Sequence, residues 1–386
     1  MKNLQGSAFG PVVKTRCSGT ATTLLVPAIL IAGLAPVQAG QWTSDLGATL
    51  TTTYDDNPTL SENDKTENGK LEFTPTLSGQ YEEDRYRLNL SGSVVETRSN
   101  DQEVEEDDTR FNAEAGGEYL SENSTLGVEL SYSLDSVQNT QFDDTGLLEN
   151  TADVTQTDAS VGLNFDLDLS DRWDIVFSNV FETSEFSGGD FTEFKDNAFN
   201  IALNNEFSDQ ISLNTSFEYA IFDPNDDSVT NTFELDFGGR YELSEDSSLF
   251  LTVGATHSGG ALGWSLDSGY ERQFEKGGFE ISALREINPS ADGQLRESSE
   301  ISMNVNYQIS ESLEAELSAR FRRSSEAGNE NSGDRDQIEI SPSISWTLTE
   351  ELSARLSLRE RQQREDESGL VRSRSAILTI DYNLPL

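Results

Sequence analysis

The sequence predicts an all-β fold: a transmembrane antiparallel up-and-down β-barrel of about 18 strands (16–18), with short periplasmic turns and long acidic extracellular loops. Three observations carry that prediction. A two-residue alternation of apolar and polar side chains restarts many times along the chain, as in Leu126, Val128, Leu130, Tyr132 and Leu134 against Gly127, Glu129, Ser131 and Ser133. Each repeat is about nine to eleven residues long, the length a tilted strand needs to cross hydrocarbon. Short and long connections follow one another in turn. Successive side chains of a strand point to opposite faces, so each segment offers one apolar and one polar face.

The chain opens with Lys2, Lys14 and Arg16 ahead of an apolar run from Leu24 to Leu34, followed by Val37-Gln38-Ala39. This reads as a signal peptide over residues 1–39, cleaved before Gly40, with the barrel over residues 40–386. The run is too short for a membrane anchor and contains Pro27 and Gly33. Cys17, the one cysteine, precedes it and leaves with the leader. A mature chain without cysteine has no disulfide framework and no thiol-built metal site.

The expected strands span residues 42–54, 71–81, 85–95, 110–120, 125–134, 158–168, 172–182, 197–207, 211–221, 232–241, 248–257, 263–272, 279–287, 300–309, 313–322, 338–348, 352–360 and 375–384. In the pair 263–272 and 279–287, Arg285 falls on the apolar phase and Leu284 on the polar one, which predicts a bulge or shifted boundary there. The short connections include Glu82-Glu83-Asp84, Ser121-Glu122-Asn123, Leu169-Ser170-Asp171, Ser208-Asp209-Gln210, Ser244-Glu245-Asp246, Ser310-Glu311-Ser312 and Thr349-Glu350-Glu351. Their Ser, Thr and Asp side chains suit tight turns because they bond nearby backbone. Long polar connections such as 55–69, 96–108, 135–156 and 323–336 belong to the other rim. An even strand count puts both chain ends on the side of the short turns.

Aromatic residues give an independent check. Trp42, Tyr81, Tyr86, Tyr119, Trp173, Phe207, Tyr241, Tyr307, Trp346 and Tyr382 sit on the apolar phase at the short-turn ends of strands. Tyr54, Phe111, Tyr132, Phe181, Phe199, Tyr219, Phe233, Trp264 and Phe321 hold the same phase near the opposite ends. Two belts of rings mark the two headgroup levels of a membrane.

The 386 residues hold 26 Lys and Arg against 70 Asp and Glu, a net charge of −44 that becomes −47 once Lys2, Lys14 and Arg16 are removed. Nucleic acid is excluded as a partner, because phosphate contacts need clustered cations. The chemistry of catalysis is nearly absent. His257, the one histidine, lies on the lipid-facing phase beside Ser258; a base and nucleophile pair has no orienting acid here, and a rim histidine is the commoner reading. The loop Asp223-Pro224-Asn225-Asp226-Asp227 offers oxygen ligands for calcium but lacks a dedicated site's spacing and terminal Glu, and reads as a solvated acidic loop. No cofactor is implied.

Tyr54-Asp55-Asp56-Asn57-Pro58 after the first strand, then a polar loop and Phe73-Thr74-Pro75, resembles the opening of the putative β-barrel porin group called porin 2, which includes barrels associated with exopolysaccharide systems. The motif is short, while the barrel pattern covers residues 40–386. The resemblance implies an outer-membrane location and a channel. Such barrels usually end on an aromatic residue, and this chain ends on Leu386, in phase with Leu378, Ile380, Tyr382 and Leu384.

What remains is the polar phase. Glu114, Glu118, Glu129, Asp166, Asp174, Glu206, Glu218, Glu234 and Asp236 are expected to line the lumen. Arg85, Arg87, Arg240, Arg320, Arg322, Arg355 and Arg359 share their phase, mostly near the chain ends that meet on closure. Either an acidic wall faces a basic seam across the pore, or the charges pair and fill the interior. The expected function is non-enzymatic: a porin-like diffusion channel for small polar or cationic solutes, the alternatives being a barrel component of surface polysaccharide export or assembly, or a soluble acidic exported β protein. The expected surroundings are outer-membrane lipid and lipopolysaccharide, with insertion by the barrel assembly machinery; the oligomeric state is left open.

Overall fold

A computed structural model describes residues 40–62, 65–101, 104, 107–137, 154–188, 191–225, 228–289, 295–326, 335–365 and 369–386. The expected leader, residues 1–39, lies outside them, as do Asp226 and Asp227 of the acidic loop. Among the described residues the alternation is realised as eighteen strands: β1 (Gln41–Asp55), β2 (Asn68–Glu83), β3 (Tyr86–Ser99), β4 (Asp108–Leu120), β5 (Ser124–Ser136), β6 (Thr155–Ser170), β7 (Trp173–Ser187), β8 (Phe194–Ser208), β9 (Ile211–Pro224), β10 (Thr230–Ser244), β11 (Ser247–Ser258), β12 (Ala261–Phe274), β13 (Gly277–Pro289), β14 (Leu295–Ser310), β15 (Leu313–Glu326), β16 (Arg335–Thr347), β17 (Leu352–Glu365) and β18 (Leu370–Pro385). Every strand pairs antiparallel with its sequence neighbours, and β1 also pairs with β18 from Asp45 opposite Pro385 to Asp55 opposite Ser375. The sheet therefore closes and has no free edge, the condition for placing strands in lipid.

Residues directly opposite one another share a face. Leu50 stands opposite Phe73 and Ile380, Leu130 opposite Ala115 and Val161, Val253 opposite Phe237 and Leu266, and Leu356 opposite Ile344 and Leu378. One continuous apolar face runs around the whole sheet, and its large side chains are exposed, Leu163 by 48% and Leu356 by 53%. A soluble sandwich would bury them between two sheets. Here only eight apolar side chains are buried among the described residues, so the core is replaced by an outward apolar band of the kind that lipid covers.

All eighteen segments lie where the alternation puts them, but the strands run 12 to 16 residues, mostly extending toward the long loops. No bulge interrupts β12–β13: the register runs without a shift from Leu266 opposite Arg285 to Phe274 opposite Gly277. Arg285 instead stays on the apolar face near the outer end of β13. Its guanidinium lies over the Trp264 ring, 4.3 Å from the centroid, donates to Ser299 Oγ at 3.2 Å and pairs with Glu297. A bulge is unnecessary because the charge is met locally.

Bulges appear instead at four short turns. The register shifts between Asp168 and Ser170, Glu206 and Ser208, Glu242 and Ser244, and Gln308 and Ser310. Three of these serines accept a bond from the amide two residues on: Ser170 from Arg172, Ser208 from Gln210 and Ser244 from Asp246, at 3.4, 3.3 and 3.3 Å. The hydroxyl supplies the turn's acceptor, and the extra residue, Leu169, Phe207, Leu243 or Ile309, is left exposed.

Rings pack at both ends of the band. At the short-turn end Trp42 meets Tyr81 at 5.1 Å and Tyr86 meets Tyr119 at 5.2 Å; at the other, Phe111 meets Tyr132 at 5.9 Å and Tyr219 meets Phe233 at 4.9 Å. Tyr81 is not a lipid-facing ring in the simple sense: it is 4% exposed, and its hydroxyl donates to Glu83 Oε2 at 2.9 Å.

Candidate functional site

The polar face of the barrel is built by the residues that alternate with the apolar band, and register fixes its members. Glu114, Glu118, Glu129, Asp166, Asp174, Glu206, Glu218, Glu234 and Asp236 all fall on that face of β4 to β10. A cavity of about 650 Å³ on this face is lined by Asp45, Asn89, Glu114, Glu129, Ser131 and Ser160. A second, of about 520 Å³, is lined by Asn204, Asn214, Arg240, Phe250, Asp267 and Glu271. Of the arginines, Arg87, Arg240, Arg320, Arg322, Arg355 and Arg359 share the face. Arg85 does not: Glu83 and Tyr86 close the hairpin, leaving Asp84 and Arg85 as its two-residue turn on the rim.

Five of these six arginines are matched by acids. Arg87 pairs with Glu82 and Glu118 at 3.4 and 3.7 Å. Arg240 donates to Glu271 at 2.6 Å and to Ser248 at 2.8 Å. Arg322 donates to Glu300 at 2.9 Å, Arg320 faces Glu339 at 3.8 Å, and Arg355 faces Glu316 at 3.7 Å. Arg359 alone of the six has no ion pair among the described residues.

Several of the acids are not matched. Glu218 on β9 stands directly opposite Glu234 on β10, and Asp236 is two residues further along the same face. The donors to Asp236 are neutral hydroxyls: Ser265 and Ser216 donate to it at 2.8 and 3.2 Å. Gly254, directly opposite Asp236 on β11, makes this possible, since a Cβ there would collide with the Asp236 carboxylate and with Ser265. Asp174 likewise accepts from Asn204 at 2.7 Å and Glu114 from Ser91 at 3.2 Å. No ion pair reaches Asp196, Glu218, Glu234, Asp236 or Asp267 among the described residues.

Two clusters went unrecognised in the sequence. Arg110 on β4 is bound to Glu72 on β2 and donates to Asp135 on β5 at 3.1 Å and to Thr97 at 3.1 Å. Glu72 and Arg110 already lie within the expected strands 71–81 and 110–120, and extending the alternation of β5 by one residue toward the loop places Asp135 on their face. The second is the start of the loop between β1 and β2. Asp55, 7% exposed, accepts from Ser373 Oγ and Ser375 Oγ of β18, both at 2.7 Å, and from Asn57 N at 2.8 Å. Asn57, fully buried, donates to the carbonyls of Ser61 and Arg372 at 3.0 Å each. Asp56 exchanges two bonds with the backbone of Arg374. The loop then turns inward: Leu60 has φ 47° and is buried against Val371. That left-handed conformation costs a leucine about 1–2 kcal/mol, offset here by burial and the bonds around it.

His257 projects from the apolar face opposite Phe233, its ring 6.4 Å from that phenylalanine, whereas Ser258 is buried on the polar face and shares a hydrogen bond with Thr232 at 2.8 Å. The two cannot act as base and nucleophile because the strand turns them apart.

No family model matches the chain, and no curated protein matches its sequence. The likeness of residues 54–58 and 73–75 to porin 2 is thus not accompanied by a family match. Solved structures do match. OpdQ of Pseudomonas aeruginosa aligns with a TM-score of 0.52 at 10% identity, covering 90% of this chain and 99% of that one. OccAB4 of Acinetobacter baumannii gives 0.51 at 11%, covering 89% and 98%. OpdK of Pseudomonas aeruginosa, solved with vanillate, gives 0.51 at 8%, covering 89% and 99%. At such identity the likeness is one of fold, and the fold this chain shares with these outer-membrane porins is the closed, porin-type barrel of eighteen strands.

Proposed function

We propose that this chain is a non-enzymatic diffusion channel of the bacterial outer membrane for small polar or cationic solutes. The observation that carries the solute class is Glu218 directly opposite Glu234, with Asp236 beside them and no cation paired to any of the three among the described residues. Like charges directly opposite on a sheet destabilise it, so the fold gains nothing from this arrangement. Inside a narrow, partly desolvated passage the same carboxylates create a field that concentrates cations. The porin-type barrel and the exposed apolar band support the location. In this reading residues 1–39 direct export and are removed, the band meets lipid and lipopolysaccharide, and the barrel assembly machinery inserts the chain. Single-channel recording in planar bilayers with ion substitution tests the proposal: discrete conductance steps carried mainly by cations are expected. A purified, folded barrel that never conducts would sink it.

A further inference from the structure

The inward turn of the β1–β2 loop bears on which part of the wall a solute meets, and the inference rests on the channel reading above. We propose that Leu60 is a specificity-determining residue: the loop, fastened to β18 through Asp55 and Asn57, narrows the passage and lays Leu60 over the arginine-bearing wall of β15 to β17, leaving the acidic wall as the surface that solutes contact.

Leu60 is an apolar side chain set among polar ones. Its neighbours Arg320, Arg322, Gln337, Glu339 and Arg361 all hold the lumen phase of their strands. The space left between Leu60 and this wall is about 10 Å³, room for one water at most, so Leu60 sits close against the wall there. A leucine in a left-handed backbone, 8% exposed, is not where a solvated loop would drift. The fastening is directional as well. Asp55 takes two hydroxyl bonds from Ser373 and Ser375 and one from its own loop, while the Asn57 amide joins the loop carbonyl of Ser61 to the β18 carbonyl of Arg372. Three consecutive residues, Asp55 to Asn57, are thus bound to the strand that borders the covered wall. Asp55 is also the last residue of β1 and directly opposite Ser375, so the loop leaves the barrel wall from a fixed point.

With Cys17 the one cysteine of the sequence, engineered thiols are easy to follow. The full chain carrying Leu60→Cys and Val371→Cys should form a bridge on oxidation, while Leu60→Cys with Glu218→Cys should not; both should show the heat-dependent gel shift of a folded barrel. A folded protein in which the first pair stays reduced overturns the placement. In planar bilayers Asp55→Ala/Asn57→Ala and Leu60→Gly should conduct more than the wild type, with reversal potentials in a salt gradient moved toward zero as the arginines are uncovered. The double-cysteine barrel should conduct less when the bridge is oxidised and the loop held in place than when it is reduced. Unchanged conductance and selectivity in both variants overturns the role of Leu60. If neither the wild type nor the variants conduct, the channel reading and the specificity role fall together, and the bridge still reports where the loop lies.

Discussion

Arg285 on β13 lies against Trp264 on β12 with its guanidinium carbon 4.3 Å from the ring centroid, on the apolar face of the barrel. Its Nε also donates to the Trp264 carbonyl at 3.3 Å. A cation on this face is tolerated because the ring, Ser299 and Glu297 together replace the water it would otherwise need. Trp264→Ala and Arg285→Ala should each lower the urea midpoint of the refolded barrel. The double variant should fall short of the sum by about 0.5–1 kcal/mol, the size of a partly exposed cation–π contact. Strict additivity would show that the two do not interact.

The register assigns Leu163 to the outward band and Asn164 to the polar face, next to Gly127. Arg at Leu163 should cost about 2–4 kcal/mol of stability in lipid, and Arg at Asn164 much less. Denaturation in bilayers compares the two directly, and equal costs would mean that the faces have been exchanged.

Selectivity should follow pairing as well as charge. Glu218→Gln and Glu234→Gln, which remove acids with no cationic partner, should shift the reversal potential further toward zero than Glu118→Gln, whose carboxylate already faces Arg87. The preference should shrink toward 1 M salt, where the Debye length is about 3 Å. An anion-preferring channel would contradict the scheme.

The closed sheet predicts how the protein fractionates. With every strand edge paired and a continuous apolar band outside, it should remain in the outer-membrane fraction through alkaline carbonate. Recovery from the soluble periplasm would be incompatible with the band.

The number, order and direction of the strands were legible because lipid on one side and water on the other impose a strong two-residue contrast. Where that contrast fades, so does the reading. The outer third of β17, Arg361-Gln362-Gln363-Arg364-Glu365, is polar on both faces, so the expected strand stops at residue 360. Phase also gives a residue's face but not its height: Arg240 and Glu271 share one wall, yet their contact across β11 needs the register of two hairpins. The inward path of Leu60 was out of reach altogether, since it depends on Ser373 and Ser375, more than 300 residues away in sequence.

Seventeen of the eighteen strand pairings join neighbours in the chain; the β1–β18 seam joins residues separated by 332 positions, as at Thr49 and Asp381. Relative to closing a loop of about ten residues, the entropic cost of that join is greater by about 3 kcal/mol. Contact order in this molecule is therefore concentrated in one place. A chain cut within any outer loop would lose little of its local pairing, whereas a circular permutant with its ends joined across β1 and β18 would turn the most distant contact into the nearest.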